Sequence, residues 1–262
     1  MWHQEFGAYG SLFLRGKRAV DAVTRWTHEH APPVAASLLP GATERAVDDL
    51  AANLQLPPLA PSLRLLWRLC AGQALAFDAA AEGAAFHESA LHGLFAGYAV
   101  YDHVVSTRLM PLPAVVMNTR LARTHAIIPA TSPLVLVAAS FDLGKIFFVN
   151  ATTGDVHVML RTRELHPAAP PAADGGRDAV LSWLEHYAAR LASGAHAYDA
   201  ASPTLPHCIS GFPRTAPQLS VSVTNGVRVE VSAVWMPESS DRTRDAFGYR
   251  CVASACCRQG VL

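Results

Sequence analysis

The spacing of apolar residues changes twice along this 262-residue chain, and those changes restrict the fold more than any single motif. Up to about Gly72 the apolar positions recur with helical period. From Gly93 they break into short runs separated by Gly and Pro, and from Asp178 to about Leu191 the helical period returns. Helices at both ends of a strand-rich middle predict an α+β unit of about 190 residues, with helices flanking a central, mostly antiparallel sheet.

The first helix is expected over Ser11 to Thr27, where Val20, Val23 and Trp26 keep rough helical spacing before "APPVAASLLPG" interrupts. Thr43 is a plausible N-cap for a second helix carrying Val47, Leu50 and Leu54, and Pro57 with Pro58 stops it. Pro61 suits the first turn of a third, with Leu63, Leu66, Trp67 and Cys70 facing inward and Gly72 as a left-handed terminator. Four stretches read as β: "GLFAGYAVYDHVVSTRLMPL", "HAIIPA", "PLVLVAASF" and "GKIFFVNATTGDVHV". The last is the clearest hairpin, with Phe147, Phe148 and Val149 against Val156 and Val158, and Asn150 to Asp155 as a solvent-facing turn. After the Pro-rich loop His166 to Gly176, a helix from Asp178 carries Val180, Trp183, Leu184, Tyr187 and Leu191 on one face.

Period-2 alternation resumes in "LSVSVTNGVRVEVSAVW". A two-residue Asn225-Gly226 turn would set Val223 opposite Arg228 and mix the two faces. The expectation is therefore a three-residue loop with a bulge, or strands that do not pair as a hairpin. Few residues remain after Leu219, so this second unit reads as incomplete, with strand edges prone to pair with another chain.

Composition narrows the function. Lys plus Arg and Asp plus Glu each number 21, so no net field favours nucleic acid. The longest apolar runs fall well short of a membrane span, and the N-terminus lacks a signal-peptide layout, so an intracellular protein, cytoplasmic or nuclear, is expected. The five cysteines form neither a disulfide framework nor a paired zinc pattern. Cys251, Cys256 and Cys257 read as free thiols near a frayed terminus. Phosphate-loop, dinucleotide, zinc-protease and serine-hydrolase signatures are absent from the sequence. His28 with His30, and His87 with His92, are spaced poorly for a shared metal, and Asp102-His103 would point to opposite faces of a strand. Expected cofactors, metals and catalytic residues are none.

"GATERAVDDLAANLQLPPLAPSLRLLWRLCAGQ", Gly41 to Gln73, resembles the start of a SUKH-superfamily domain of the Smi/Knr type. "GLFAGYAVYDHVVSTRLMPL" and "GKIFFVNATTGDVHV" resemble that domain's sheet entry and central hairpin. With "PQLSVSVTNGVRVEVSAVWMPESS", which resembles the opening of an ApaG domain, the ordered set is similar to plant SKIP-type F-box proteins and their vertebrate F-box-only relatives. The resemblance implies an N-terminal helical segment over 1–30, a SUKH-like domain over 31–195, and a linker over 196–210. A truncated, immunoglobulin-like ApaG segment would span 211–250, with an unassigned tail over 251–262.

It implies a non-catalytic protein-interaction module, the substrate-recognition part of an F-box protein in a ubiquitin ligase. The Skp adaptor would bind only if the missing F-box were restored. A stand-alone SUKH-type scaffold without a ubiquitin role is the alternative. Pyrophosphate binding is not expected, because the glycine-rich motif linked to it in bacterial ApaG proteins is missing. Candidate contact residues for protein partners are Asn150, Thr152, Gly154 and Asp155 in the hairpin turn, and the N-terminal aromatics Trp2, Phe6 and Tyr9.

Overall fold

The structure, a computed structural model, describes residues 10–74, 93–100, 103–169, 179–198 and 208–257. Trp2, Phe6 and Tyr9 lie outside that range. Helix α1 (Gly10–His30) extends beyond both expected ends and is followed by α2 (Pro32–Ser37) and β1 (Leu38–Pro40). Helix α3 (Glu44–Asn53) starts where the sequence places it, the Thr43 hydroxyl accepting from Ala46 N at 3.2 Å. Val47 and Leu50 are buried along its inner face. Arg64 of α4 (Pro61–Leu69) reaches back to Glu44 and Asp48, tying the two helices at their exposed edge. Leu63, Leu66 and Trp67 face the core.

Gly72 does not end α4. The chain passes straight into β2 (Cys70–Gln73), and the positive φ of Gly72, 112°, lies within that strand. A Cβ there would sit 2.5 Å from Met110 O, so only glycine permits the approach. The next residue, Gln73, is fully buried. Its Nε2 donates to Ser37 Oγ at 2.7 Å, and its Oε1 accepts from Leu94 N at 3.2 Å and Leu109 N at 3.1 Å. One side-chain amide thus joins the end of α2 to two strands, β3 (Gly93–Val100) and β4 (His103–Leu109).

The segment after β4 departs from expectation. Residues 112–124 form α5 (Leu112–Thr124), and "HAIIPA" is not a strand but the cap and exit of that helix. Ala126 takes a φ of 51°, while Ile127 N and Ala126 N donate to Ala122 O and Arg123 O at 2.8 and 3.1 Å. That is a Schellman-type stop. The chain continues through β5 (Leu134–Ser140), β6 (Ile146–Asn150), β7 (Val156–Met159) and β8 (Leu165–Pro167) to α6 (Ala179–Ala192).

With β9 (Cys208–Ser210), these strands form a seven-stranded sheet ordered β8-β7-β6-β5-β4-β3-β9, antiparallel at every joint except β3 with β9. β9 falls inside the span expected to be a linker. Helix α1 packs on α4 and α6, and Gly16 lets them close: a Cβ there would come within 2.7 Å of Leu65 Cδ2 and 3.2 Å of Leu181 Cδ2. The apolar core runs from Val47 on α3 through Trp67 and Phe148 to Ile209 on β9.

The second unit is a three-stranded antiparallel sheet of β10 (Leu219–Thr224), β11 (Val227–Asp241) and β12 (Ala246–Cys257). Here the sequence expectation fails. β10 and β11 do pair as a hairpin through a two-residue turn, with Thr224 opposite Val227 and Val223 opposite Arg228. Asn225 and Gly226 have φ of 49° and 79°, the left-handed pair that tight hairpins require, so the turn sets the register. The hydrophobic pattern does not oppose it, because both faces of β10 are largely open to solvent and no burial rewards matched faces. The residues expected as a frayed end complete β12, where Cys251 and Cys256 pair with Ala233 and Arg228 and stand exposed.

Candidate functional site

The hairpin β6–β7 has the expected pairing, Phe147 opposite Val158 and Val149 opposite Val156. Its turn is less open than expected. Asn150 Oδ1 accepts from Thr152 N and Thr153 N at 3.0 and 3.2 Å, and Gly154 N donates to Asn150 O at 2.8 Å. Ala151 is fully buried, with its carbonyl accepting from Ala60 N at 2.6 Å just before α4. Gly154 is buried and Asn150 half-buried, which leaves Thr152 and Asp155 exposed. The turn is therefore a self-satisfied knob docked on the helical layer. The side chains of Asp102 and His103 lie outside the described residues.

A larger concavity opens at the other end of β6. Its floor is the sheet surface carrying Phe95 of β3 and Phe147 of β6. One wall is α6, where Trp183, His186, Tyr187 and Arg190 follow helical spacing and share a face. The other wall is β11 of the second sheet, with Val234, Trp235 and Pro237. The open cleft has a volume of about 390 Å³. Phe147 and Phe148 explain how the floor forms: successive strand residues point to opposite faces, so Phe148 is fully buried while Phe147 remains at the cleft. Trp183 stacks on Phe95 at 4.4 Å between ring centroids and lies 5.4 Å from Phe147.

The two sheets are fastened around this cleft. Tyr98 of β3, fully buried, donates from its hydroxyl to Glu238 Oε1 at 2.5 Å. Arg161 pairs with Asp241 and Arg242 with Glu164, each at 3.2 Å. His166 meets Trp235 edge-on at 5.3 Å. The Asp241 carboxyl is held below the usual carboxylate range, chiefly by the Thr243 hydroxyl at 2.6 Å and then by the Thr243 amide and the guanidinium groups of Arg244 and Arg161, against its own burial.

The polar groups of the cleft have unusual settings. Lys145, one of two lysines in the chain with Lys17, sits with Nζ 4.9 Å from the Tyr98 ring centroid and 5.8 Å from that of Phe147. Burial pushes its amine down to about 8, against the upward pull of Glu238. His196 is 5% exposed, and burial, then Arg190, holds it down to about 4, so it is neutral at pH 7. Its Nδ1 lies 2.9 Å from the Ser210 carbonyl, which can only accept. Nδ1 therefore carries the proton and Nε2 is left as an acceptor. Arg190 is partly buried, which lowers its pKa, and its Nε is shielded from solvent without a hydrogen-bond partner. Tyr187 donates to Leu94 O, and burial raises its phenol. Burial likewise pushes the Cys208 thiol up to about 12, so it remains a thiol.

The sequence reading took Phe147, Trp183 and Tyr187 as core and did not single out Lys145, Arg190, His196 or Trp235. The available signal was the spacing 183, 186, 187, 190 on one helical face, which mixes aromatic and basic residues where a purely structural face would be aliphatic. Among the described residues no group of three or more His, Cys, Asp or Glu is placed to hold a metal ion, and no helix is long and apolar enough to cross a membrane.

The aromatic cleft lies between a helix-backed sheet and a second β unit, with Lys145, Arg190 and His196 among its lining residues, and such a concavity suits a bound ligand. No family model matches the chain. The chain is similar to F-box protein SKIP16 of Arabidopsis thaliana, with 31% identity over 253 residues, which is 92% of this chain and 56% of that protein. It thus spans about half the length of the curated relative it matches.

Proposed function

We propose that this chain is the substrate-recognition part of an F-box protein that presents proteins to a ubiquitin ligase in the cytoplasm or nucleus. The observation that carries the reading is the relation to an F-box protein sustained over nearly the whole chain. On this reading, residues 31–195 are a SUKH-like domain and the β unit from residue 211 is ApaG-like. Protein partners engage the cleft between the two, with Thr152 and Asp155 as a secondary contact. A binding role is supported by the state of the buried groups. Tyr187, which lines the cleft, has its phenol committed to the Leu94 carbonyl, and Cys208 of β9 is held as a thiol, so neither is set up as a nucleophile.

The test is turnover. Proteins captured by cross-linking to the chain in cells are identified by mass spectrometry, and their half-lives are measured with the 262-residue chain over-expressed. Residues 1–262 compete with the intact adaptor, so half-lives of captured proteins lengthen in a proteasome-dependent way. Unchanged half-lives for all of them reject the ligase reading. Robust direct binding of the Skp adaptor to these residues alone also counts against the proposed division of labour.

A further inference from the structure

Most basic side chains at the seams of this fold have a carboxylate partner: Arg15 with Glu185, Arg64 with Glu44 and Asp48, Arg161 with Asp241, Arg242 with Glu164. Among the described residues, the two cations of the cleft do not. The Lys145 amine makes no hydrogen bond or ion pair there and rests on the Tyr98 and Phe147 rings. Glu238, the acid that acts on it, spends one oxygen on the Tyr98 hydroxyl. Among the described residues, Arg190 has no carboxylate within ion-pair distance, and its Nε has no hydrogen-bond partner. Both cations act on the same neighbour, His196, so they converge on one region of the cleft.

Leaving a guanidinium partly desolvated and unpaired is costly, and an incoming anion removes that cost. The aromatic surfaces beside it, Trp183, Phe147 and Trp235, supply an apolar bed, and a volume of about 390 Å³ is that of a ligand pocket rather than of a flat protein interface. The cleft therefore suits the end or a short kink of a chain.

We propose that the cleft binds a peptide carboxylate next to a bulky apolar side chain. Arg190 clamps the carboxylate, Lys145 supplies a second charge, and Trp183 and Trp235 hold the side chain. The carboxylate comes from a free chain terminus or from an acidic side chain. A guanidinium fork matches a carboxylate bidentately, which a lysine cannot do. Neutral His196, with Nε2 as an acceptor, is suited to receive a backbone N–H of the same peptide. This inference rests on the recognition reading above and names the class of substrate end that reading requires.

The experiment is fluorescence polarisation with the full chain and three sets of N-terminally labelled hexapeptides. One set ends in a free Phe, Leu or Trp carboxylate, the second is the same peptides as C-terminal amides, and the third is amides with a Glu beside the apolar residue. Binding is expected for the first set or the third and at least about tenfold weaker for the plain amides, the range of a charge-assisted hydrogen bond. Which of the two sets binds identifies the source of the carboxylate. Arg190→Gln and Arg190→Lys both weaken it about tenfold or more, and Lys145→Gln weakens it less, while thermal unfolding confirms that each variant is folded. If Arg190→Gln does not fold, Arg190→Lys still separates fork from charge. Equal binding of amides and acids, or indifference to Arg190→Lys in a folded protein, overturns the carboxylate assignment while leaving the turnover test of the recognition role intact. Absence of binding by every set up to millimolar peptide overturns it as well.

Discussion

Replacing Gln73 by Met tests the claim that one buried amide holds the helical layer to the sheet. Met is of similar length and removes both the acceptor and the donor. Leu94 N and Leu109 N then point at a thioether chain in a region closed to water, Gln73 being 0% exposed, and Ser37 Oγ loses its donor. An orphaned buried N–H costs about 1–3 kcal/mol, so two cost about 2–6, and the gain from a more apolar side chain returns about 1. The expected net loss is about 3 kcal/mol. For a chain of this size that lowers the melting temperature by about 6–12 °C. Urea unfolding followed by circular dichroism reads the free energy directly. Ser37→Ala alone costs about 1 kcal/mol, and the double variant loses less than the sum because the two side chains share a bond. A loss below 1 kcal/mol for Gln73→Met, or strict additivity with Ser37→Ala, refutes the bridge.

Three further outcomes are expected. His196 is folded as a neutral ring with its pKa near 4, below the ordinary 6.5, so between those values the unfolded chain binds the extra proton. The stability this burial secures is complete above pH 6.5 and is lost, by about 3 kcal/mol, as pH falls toward 4. Urea unfolding at pH 7 and 4.5 reads it, and an H196Q variant with the same pH slope rejects it. Lys145 titrates near pH 8: with only two lysines, 13C-lysine NMR gives two side-chain signals, and absence of a midpoint near 8 from both contradicts the burial described for Lys145. Tyr98→Phe strips Glu238 of its donor and loosens the second sheet, costing about 1.5–3 kcal/mol. Limited proteolysis then cuts between residues 211 and 219 faster than in the parent, and unchanged cleavage argues against Tyr98 as a fastener.

Elements whose signals are local were legible in the sequence. Thr43 caps α3 as its position implies, Pro61 opens α4, and β6–β7 pairs as its alternation requires. Helix α5 escaped because its buried face is mostly small or polar, with Ala114, Asn118, Thr119 and Ala122 turned inward beside Val115 while Met117 and Leu121 are exposed. Thr119 is there for a backbone contact, its hydroxyl accepting from Leu136 N at 3.0 Å, a role that leaves no hydrophobic period. Its stop escaped too, because alanine rather than glycine occupies the left-handed position. The cleft was legible only in part. The α6 face announces aromatic and basic groups, but whether Trp183 lies in a core or on a wall depends on β11, far away in sequence. No periodicity encodes that meeting.

The parallel joint between β3 and β9 bears on the order in which this molecule is made. Cys208 pairs with Gly93 across a long stretch of chain, and Ser210 with Gly97, so the strand docks only after everything between has been synthesised and the loop closed. His196 and Gly211, which flank β9, enter the cleft at that moment. A nascent chain still short of residue 211 can hold its helices and the other six strands of the large sheet, yet lacks Trp235 and the rest of the β11 wall of the pocket. The pocket is finished only when β11 has followed β9 off the ribosome, an order written into strand pairing alone.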